Sequence, residues 1–218
     1  MRHNKALTLR ISEIFYSLQG ETTRVGLPTV FVRLTGCPLR CSWCDTTYAF
    51  TGGRTLSLEE ILAQVAVYAP RYVCVTGGEL LAQKNCLKLL TALCDAGYDV
   101  SLETSGALPV GEVDARVSRI VDLKPPSSGE STKNCWENLR LLRQDDELKF
   151  VIADRADYDW MRRIIVERQL AGCCPILLSP VQNTLSPQTL AEWILADRLP
   201  VRLQVQLHRL LWGDAPGK

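Results

Sequence analysis

The sequence predicts an α/β fold in which a mainly parallel sheet curves into a complete or partial barrel. Three observations predict this fold class. Short runs rich in β-branched and aromatic residues alternate with segments of helical period along almost the whole chain. Helix-start signals separate several of these runs. Strand–helix–strand alternation of this kind is typical of layered α/β proteins with parallel strands.

Six to eight strands are expected, in a single domain spanning residues 1–218, because the chain has no internal repeat, linker or low-complexity tract. In parallel barrels the chemistry lies at the carboxyl ends of the strands, so polar residues that directly follow a strand are candidate site residues. The candidate strands are, in chain order, Leu7–Phe15, Thr29–Leu34, Arg71–Thr76, Tyr98–Glu103, Arg119–Leu123, Leu148–Ala153, Pro175–Leu178 and Val201–Gln206.

The helices between these strands begin at recognisable signals. Ser57 is followed three residues later by Glu60, which forms a capping-box pattern ahead of an apolar run. Ser186 and Pro187 open another helix, because proline is favoured at the first helical position. Two further segments carry apolar residues at helical spacing: Lys84–Ala96 and Asp157–Gln169.

The composition excludes several classes of protein. Of the 218 residues, 46% are hydrophobic and 22% charged, which excludes a disordered chain. A net charge of +1 does not support general electrostatic binding of nucleic acid. No apolar run approaches the ~20 residues that a membrane span needs. Residues 1–10 lack the pattern of a signal peptide, so a cytoplasmic location is expected.

Nine cysteines in such a chain indicate a reducing compartment rather than a disulfide framework. Three of them, Cys37, Cys41 and Cys44, directly follow a predicted strand with the spacing C-x3-C-x2-C. Thiolates suit iron–sulfur clusters, zinc or copper(I). A 4Fe–4S cluster takes four cysteines when fully ligated, so three would leave one iron open to an outside ligand. A structural zinc ion would need a fourth ligand, and neither His3 nor His208 has finger-like spacing from the loop.

A second motif, Thr76-Gly77-Gly78-Glu79, stands at the end of a predicted strand. Glycines there let a ligand approach the backbone, and Glu79 could receive an ammonium group. Polar groups follow other predicted strands in the same way: Glu103–Gly106, Asp122–Ser127 and Ser179–Gln182.

The cysteine loop followed by Gly-Gly-Glu resembles the signature of the radical S-adenosylmethionine (SAM) enzymes. The resemblance implies that Cys37, Cys41 and Cys44 hold a 4Fe–4S cluster whose open iron binds the amino and carboxylate groups of SAM. In these enzymes, electron transfer into the sulfonium releases a 5′-deoxyadenosyl radical. It also implies a partial, incomplete TIM-like barrel of the radical SAM type. The chain departs from the pattern at Leu80, where the family usually has proline.

The run Ile14–Glu21, the run Gly26–Leu34 and the triplet Cys44-Asp45-Thr46 narrow the resemblance to the 7-carboxy-7-deazaguanine synthase family. The likeness extends from Leu9 to about Trp212. It implies a carbon–nitrogen lyase that contracts the ring of 6-carboxy-5,6,7,8-tetrahydropterin with release of ammonia, in queuosine and deazapurine biosynthesis. It further implies regeneration of SAM, dependence on Mg²⁺, a homodimer, and a flavodoxin or ferredoxin as electron donor.

The same resemblance implies the binding residues. Thr46 corresponds to the magnesium ligand. SAM would contact Trp43, Asp45, Gly78, Glu79, Asp122, Leu123, Lys124, Ser179, Pro180, Val181 and Gln182. The substrate would contact Leu18, Gln19, Gly20, Glu21, Arg33, Thr76 and Pro216.

The residue chemistry is compatible with these roles. Glu21 can accept hydrogen bonds from N–H donors of a pterin, and Arg33 can clamp a carboxylate. Ordinary salt bridges are the alternative for both residues, and a turn cap is the alternative for Thr46. His208, expected on a strand, either positions substrate or fills a core position.

Two other functions remain open from the sequence. A glycyl-radical-enzyme activase would share the cysteine and Gly-Gly-Glu motifs, but the Leu-Gln-Gly-Glu run of residues 18–21 and Arg33 argue against it. A zinc-binding, non-enzymatic module would need a fourth ligand near the loop. Iron content separates the zinc module from both enzymes, and net consumption of SAM separates the activase from the synthase.

Overall fold

A computed structural model describes residues 7–213, 215 and 217 of the chain. In this part of the chain, nine strands form a single sheet. The strands are β1 (Thr8–Leu18), β2 (Pro28–Leu34), β3 (Arg54–Ser57), β4 (Tyr72–Gly77), β5 (Asp99–Thr104), β6 (Ser118–Asp122), β7 (Glu147–Ile152), β8 (Ile176–Pro180) and β9 (Arg202–Leu203).

The sheet has the order β3-β1-β2-β4-β5-β6-β7-β8-β9. Strand β1 pairs antiparallel with both β2 and β3, and every pair from β2–β4 to β8–β9 is parallel. Strands β3 and β9 end the order without pairing to each other in the described residues, so the barrel is open. The predicted α/β fold with a mainly parallel partial barrel is therefore confirmed.

The helices are α1 (Leu58–Ala66), α2 (Cys86–Asp95), α3 (Arg155–Glu167), α4 (Pro187–Asp197) and α5 (Leu207–Trp212). The capping box of α1 is present as predicted, with Ser57 accepting from the Glu60 backbone N–H and Glu60 accepting from the Ser57 N–H at 2.7 Å. Helix α4 begins at Pro187, and the Ser186 hydroxyl accepts from the Thr189 N–H at 3.0 Å.

Alternation along the strands separates the core from the inside of the barrel. In β7, Leu148, Phe150 and Ile152 belong to the hydrophobic core beneath the helices. Lys149 and Val151 face the opposite way, into a cavity inside the barrel. The inner face of the sheet is therefore free to carry polar and charged side chains.

Two sequence expectations about elements are wrong, and strand β3 has no counterpart among the predicted strands. The predicted strand Val201–Gln206 shrinks to Arg202–Leu203. His208 lies in α5 rather than on a strand. The last two changes have one cause, since the chain leaves the sheet where the Leu207 N–H donates to the Gly20 carbonyl at 2.9 Å.

None of the helices in the described residues is both long enough and apolar enough to cross a bilayer.

Candidate active site

A cavity of about 980 Å³ opens at the carboxyl ends of the parallel strands. The residues that line it come from the inner face of the sheet, including β7, from the loops after β1, β2, β4, β5, β6 and β8, and from α5. Nineteen predicted site residues line this cavity: Leu18, Gln19, Gly20, Glu21, Arg33, Cys37, Cys41, Trp43, Cys44, Asp45, Thr46, Thr76, Gly78, Asp122, Lys124, Ser179, Pro180, Val181 and Gln182. Glu79 and Leu123 do not line it, and Pro216 lies outside the described residues.

The cysteine loop is held from several sides. The Gly36 N–H donates to the Ala49 carbonyl at 2.7 Å, and the Ser42 N–H donates to the Ser128 carbonyl at 3.1 Å. The Arg40 N–H donates to Glu130 Oε1 at 2.6 Å. Leu39 anchors the middle of the loop in a buried position. These bonds fix the backbone that carries the three thiols.

The three thiols of this loop, Cys37, Cys41 and Cys44, are half-buried and face the same cavity. Burial raises the pKa of the Cys37 and Cys41 thiols. No three His, Cys, Asp or Glu side chains of the described residues are grouped so as to hold one metal ion. An iron–sulfur cluster takes each thiolate on a different iron, so its ligands need not converge on a single point. The donor set therefore fits a 4Fe–4S cluster with one open iron better than a zinc ion.

Gly77 and Gly78 bring the end of β4 against the cysteine loop. The Glu79 N–H donates to the Gly36 carbonyl at 2.8 Å. A Cβ at Gly78 would lie 2.7 Å from Cys37 Cβ and would collide with the Gly36 carbonyl oxygen. Gly77 has a φ of +155°, which residues with a side chain rarely adopt, and a Cβ there would lie 2.5 Å from the Leu34 carbonyl oxygen. The two glycines are therefore required by close packing of the backbone.

The Glu79 side chain has a different place from the predicted one. Its carboxylate is fully buried, accepts from the Leu81 N–H at 3.0 Å, and accepts from the Thr104 hydroxyl and the Ser105 N–H at 2.8 Å each. The Ser105 hydroxyl also donates to it. Because four donors already surround the carboxylate behind the cavity wall, the structure contradicts the expectation that Glu79 receives an ammonium group. The backbone of Gly78 reaches the cavity instead.

Two buried polar atoms in the cavity lack a hydrogen-bond partner among the described residues: Asp122 Oδ1 and Ser179 Oγ. The other oxygen of Asp122 accepts from Lys124 Nζ at 2.9 Å. Buried polar groups are normally satisfied, so such atoms point to a ligand that supplies the partner. Both belong to the predicted SAM contacts, and SAM offers ammonium, hydroxyl and amino donors. The residues present thus fit SAM.

Leu123 is a correction to the predicted SAM contacts. Its side chain is fully buried in the hydrophobic core, because alternation along the chain turns it away from its neighbours Asp122 and Lys124. Its backbone N–H donates to the Lys149 carbonyl at 2.9 Å. Leu123 therefore supports the sheet rather than the ligand.

Arg33 lies on β2 directly opposite Glu13 of β1. Its Nε donates to Glu13 Oε1 at 2.7 Å, and the Tyr48 hydroxyl donates to the same oxygen at 2.9 Å. The guanidinium also lies 5.8 Å from the ring centroids of both Phe15 and Tyr48. Burial, together with the Glu13 contact, raises the pKa of Tyr48 to about 12. The cross-strand salt bridge considered for Arg33 is present, and the arginine still lines the cavity.

Glu21 follows β1 and forms an ion pair with Lys149 of β7. Gln206, next to α5, donates to its other oxygen at 2.7 Å. Burial alone would raise the pKa of Glu21, but the Lys149 charge and the hydrogen bonds hold it below its usual value. Sequence reasoning missed Lys149 and did not give Gln206 a role, because both come from parts of the chain remote from Glu21.

Glu103, near the end of β5, is a second carboxylate of the cavity and is half-buried. It accepts from Gln19 Nε2 at 3.1 Å and from the Thr76 hydroxyl at 3.5 Å. Burial and the nearby Glu21 charge raise the pKa of Glu103. The sequence analysis placed Glu103 here by its position at a strand end, but gave it no individual role.

Thr46 lies beside the cysteine loop, and its hydroxyl donates to Asp45 Oδ1 at 2.7 Å. Gln206 Nε2 and Arg209 Nη2 each approach Asp45 Oδ2 at 3.4 Å. His208 of α5 lines the cavity and packs so closely on Gly20 that a Cβ there would collide with the imidazole. The C-terminal helix thus closes one side of the cavity.

The loop after β1 contains a strained residue. Thr22 has a φ of +70°, in a region that costs a β-branched residue about 1–2 kcal/mol. Its hydroxyl accepts from the Arg24 N–H at 3.1 Å. Asparagine tolerates this conformation, and its side-chain oxygen can accept the same hydrogen bond from the Arg24 N–H. We therefore expect Thr22→Asn to raise the free energy of unfolding by about 1 kcal/mol and the Tm by about 2–4 °C.

Differential scanning calorimetry of the purified variants measures this effect. Thr22→Val is the matched control, because it keeps the branched Cβ and removes the acceptor, and its Tm should fall below that of the parent protein. A Thr22→Asn protein that melts earlier than the parent would show that the loop carries no such strain.

The comparisons with known proteins agree with this geometry. The sequence profile of the radical SAM superfamily matches residues 31–126, which include the cysteine loop and the Gly-Gly-Glu segment. A solved structure, QueE from Escherichia coli, superposes with a TM-score of 0.77 over 93% of this chain and 95% of its own, at 24% identity. SuiB from Streptococcus suis bound to its precursor peptide superposes with a TM-score of 0.57, at 10% identity, over 78% of this chain and 46% of its own. The fold and site define a radical SAM protein, and membership of that superfamily implies a 4Fe–4S cluster and SAM.

Curated relatives define the family within that class. An enzyme of Chlorobaculum tepidum is 48% identical over 96% of this chain and 97% of its own length. An enzyme of Koribacter versatilis is 42% identical over 94% of this chain and 97% of its own length. An enzyme of Methanospirillum hungatei is 39% identical over 93% of this chain and 85% of its own length. All three are named 7-carboxy-7-deazaguanine synthase. The chain belongs to the 7-carboxy-7-deazaguanine synthase family.

Proposed function

We propose that this protein is a 7-carboxy-7-deazaguanine synthase that acts as a carbon–nitrogen lyase. It contracts the ring of 6-carboxy-5,6,7,8-tetrahydropterin, releases ammonia and regenerates SAM, in queuosine and deazapurine biosynthesis. The observation that carries the proposal is that Glu21 and Arg33 face the same cavity as the three-cysteine loop. The Glu21 carboxylate can accept from the N–H donors of the pterin, and the Arg33 guanidinium can bind its carboxylate.

On the cofactor side, Cys37, Cys41 and Cys44 hold the 4Fe–4S cluster, which together with SAM supplies a carbon radical when both are bound. Asp122 Oδ1 accepts a hydrogen bond from SAM, and the Ser179 hydroxyl can accept one from SAM or donate one to it. Further SAM contacts come from Trp43, Asp45, Gly78, Lys124, Pro180, Val181 and Gln182, all of which line the cavity.

On the substrate side, Glu21 accepts from the amide and amino edge of the pterin. Arg33 lines the same cavity and binds the substrate carboxylate. Leu18, Gln19, Gly20 and Thr76 line the rest of the pterin pocket. The predicted contact at Pro216 stays a prediction.

A Mg²⁺ ion is proposed at Thr46. Mg²⁺ prefers six oxygen ligands and is often held by few protein groups plus oxygens of the substrate. Thr46 offers one hydroxyl in the cavity, with the Asp45 carboxylate at 2.7 Å. The ion would bind tightly only together with the substrate, whose oxygens complete its coordination.

We also propose a single radical SAM domain that works as a homodimer and receives electrons from a flavodoxin or ferredoxin. The single sheet of nine strands supports one domain. Leu210 and Leu211 of α5 are 72% and 50% exposed, which supports an apolar contact with a second copy. Light scattering of the purified protein measures the dimer mass.

The test uses the anaerobically reconstituted full chain with SAM, a reductant, Mg²⁺ and 6-carboxytetrahydropterin. Formation of the deazaguanine product without net loss of SAM supports the proposal. A protein with an intact cluster that forms no product would overturn it. Net consumption of SAM with a glycyl radical on an added protein would instead indicate an activase.

Substitution of Thr46 tests the magnesium site in the same assay. We expect Thr46→Val to raise the Mg²⁺ concentration needed for half-maximal rate, because it removes one oxygen ligand and keeps the branched shape. Thr51→Val, in a loop residue that does not line the cavity, is the control. An unchanged Mg²⁺ requirement in Thr46→Val would place the ion elsewhere.

A further inference from the structure

Lys149 is a buried cation inside the barrel with no predicted role. We propose that Lys149 is a positioning residue for substrate recognition, which holds Glu21 as an anion aimed at the N–H donors of the pterin edge. This inference rests on the proposed function, because it assigns recognition of that edge to Glu21. It adds a residue that acts through Glu21 rather than on the reacting atoms.

Lys149 lies on the same face of β7 as Glu147. Glu147 and Lys149 are two residues apart on one strand and therefore point the same way. Glu147 accepts from the Thr23 N–H at 3.0 Å and from the Thr23 hydroxyl at 2.5 Å. Lys149 Nζ forms an ion pair with Glu21. One face of β7 thus binds the loop after β1 at two points. Glu147 holds the loop backbone at Thr23, and Lys149 contacts Glu21 in the cavity.

Glu21 is surrounded by several charged groups. Lys149 of β7 is the cation in contact with it. Glu21 also interacts electrostatically with three other titratable groups: Glu103 of β5, Asp45 of the cysteine loop and His208 of α5. Lys149 faces Asp122 and Glu103 as well as Glu21. Asp122 has its own cation, Lys124, at 2.9 Å. Among these three carboxylates, Glu21 is the one in direct contact with Lys149.

These charges determine the protonation state of Glu21. Burial would raise the pKa of the carboxyl, but the charge and hydrogen bond of Lys149, together with the hydrogen bond from Gln206, hold the pKa below its usual value. An ionised carboxylate accepts hydrogen bonds with both oxygens, whereas a protonated one presents a donor to the donors of the pterin. Without Lys149, the pKa of Glu21 would rise, and the ionised fraction would fall about tenfold for each pH unit below the new value.

The experiment compares Lys149→Met, Lys149→Arg and Glu147→Gln in the reconstituted full chain. For Lys149→Met we expect a KM for the pterin at least about tenfold higher at pH 6.5, recovering toward pH 9, with a smaller change in kcat. Lys149→Arg restores the charge and should restore the pH profile. Glu147→Gln weakens the hydrogen bonds to Thr23 and leaves the Lys149 ammonium group in place, so it should not shift the profile.

A second measurement does not depend on catalysis. Infrared difference spectra should show a protonated carboxylic-acid band in Lys149→Met near neutral pH that is absent from the parent protein and from the Lys149→Met/Glu21→Gln double variant. Iron content and SAM binding report whether each variant is folded and loaded. A pH limb that the parent protein and Lys149→Met share does not arise from the contact between Lys149 and Glu21.

The outcomes separate the two proposals. If the parent protein makes no product but the infrared band behaves as stated, the proposed function fails and the Lys149–Glu21 coupling stands. A Lys149→Met protein with the parental KM and pH profile and no carboxylic-acid band overturns the inference. An identical shift of the profile in Glu147→Gln also overturns it, because the effect would then come from the loop position alone.

Discussion

Removal of the Glu79 carboxylate is expected to destabilise the whole fold. Glu79→Ala leaves the Leu81 and Ser105 N–H groups and two hydroxyls without their acceptor in a fully buried position. Each buried donor left unpaired costs about 1–3 kcal/mol, so the free energy of unfolding should fall by about 4 kcal/mol. For a chain of this size, this lowers the Tm by about 10 °C.

Glu79→Gln is expected to be milder, with a loss of about 2 kcal/mol. The amide oxygen of glutamine can still accept from the donors on one side, but its NH₂ group then faces the donors on the other side. Ser105→Ala is the matched control, since it removes one of the four donors and keeps the acceptor. Thermal unfolding of the apo-proteins measures all three variants without the cluster or SAM.

The same series decides between two roles for Glu79. A carboxylate that acted only by binding the ammonium group of SAM would leave the Tm of the apo-protein unchanged and weaken SAM binding. The structure leads us to expect the opposite order, with the loss of stability first and any loss of SAM binding as its consequence. An apo-protein of Glu79→Ala with the parental Tm would contradict this account.

The correction at Glu79 illustrates a limit of sequence reasoning. A glutamate after two glycines at a strand end has the right chemistry for an ammonium ligand and for a buried hydrogen-bond acceptor. The motif does not distinguish them, because the choice depends on Thr104 and Ser105 of the neighbouring strand end. The direction of the side chain is set by tertiary contacts that no local pattern contains.

Local patterns predicted the parts of the site that are close in sequence. The C-x3-C-x2-C spacing located the cysteine loop, and the capping box located the start of α1. Strand ends located Asp122 and Ser179, which carry the two unpartnered atoms. The cysteine loop and the capping box each lie within one loop or one turn, so spacing alone locates them. Asp122 and Ser179 were located by the rule that polar residues at strand ends face the site.

Long-range partners could not be found in this way. Lys149 lies 128 residues after its partner Glu21, and Gln206 lies 185 residues after it. A single lysine inside a β-strand pattern gives no sign of its partner until the barrel brings β7 beside the loop after β1. The short helix α5 was also missed, because six residues carry too little periodicity to outweigh a strand-like run before them.

The second large effect is expected at Gly78. A methyl group there would lie 2.7 Å from Cys37 Cβ and would collide with the Gly36 carbonyl oxygen, which accepts the Glu79 N–H. These contacts are backbone and Cβ atoms, so rotation of a side chain cannot relieve them, and the cysteine loop must move. Displacement of a site by about 1 Å can cost about a hundredfold in rate.

We therefore expect Gly78→Ala to lose at least that factor in kcat and to bind less iron after reconstitution. Gly111→Ala is the matched control, because its Cβ would meet only Leu141 Cδ1 at an ordinary 3.5 Å. Iron analysis and visible absorption measure the cluster, and calorimetry of the apo-proteins measures the fold. Since the clash lies between the end of β4 and the loop and not in the core, the Tm should change far less than in Glu79→Ala. A Gly78→Ala protein with full iron content and parental kcat would show that the cysteine loop tolerates the displacement and that close approach of the two backbones is not required.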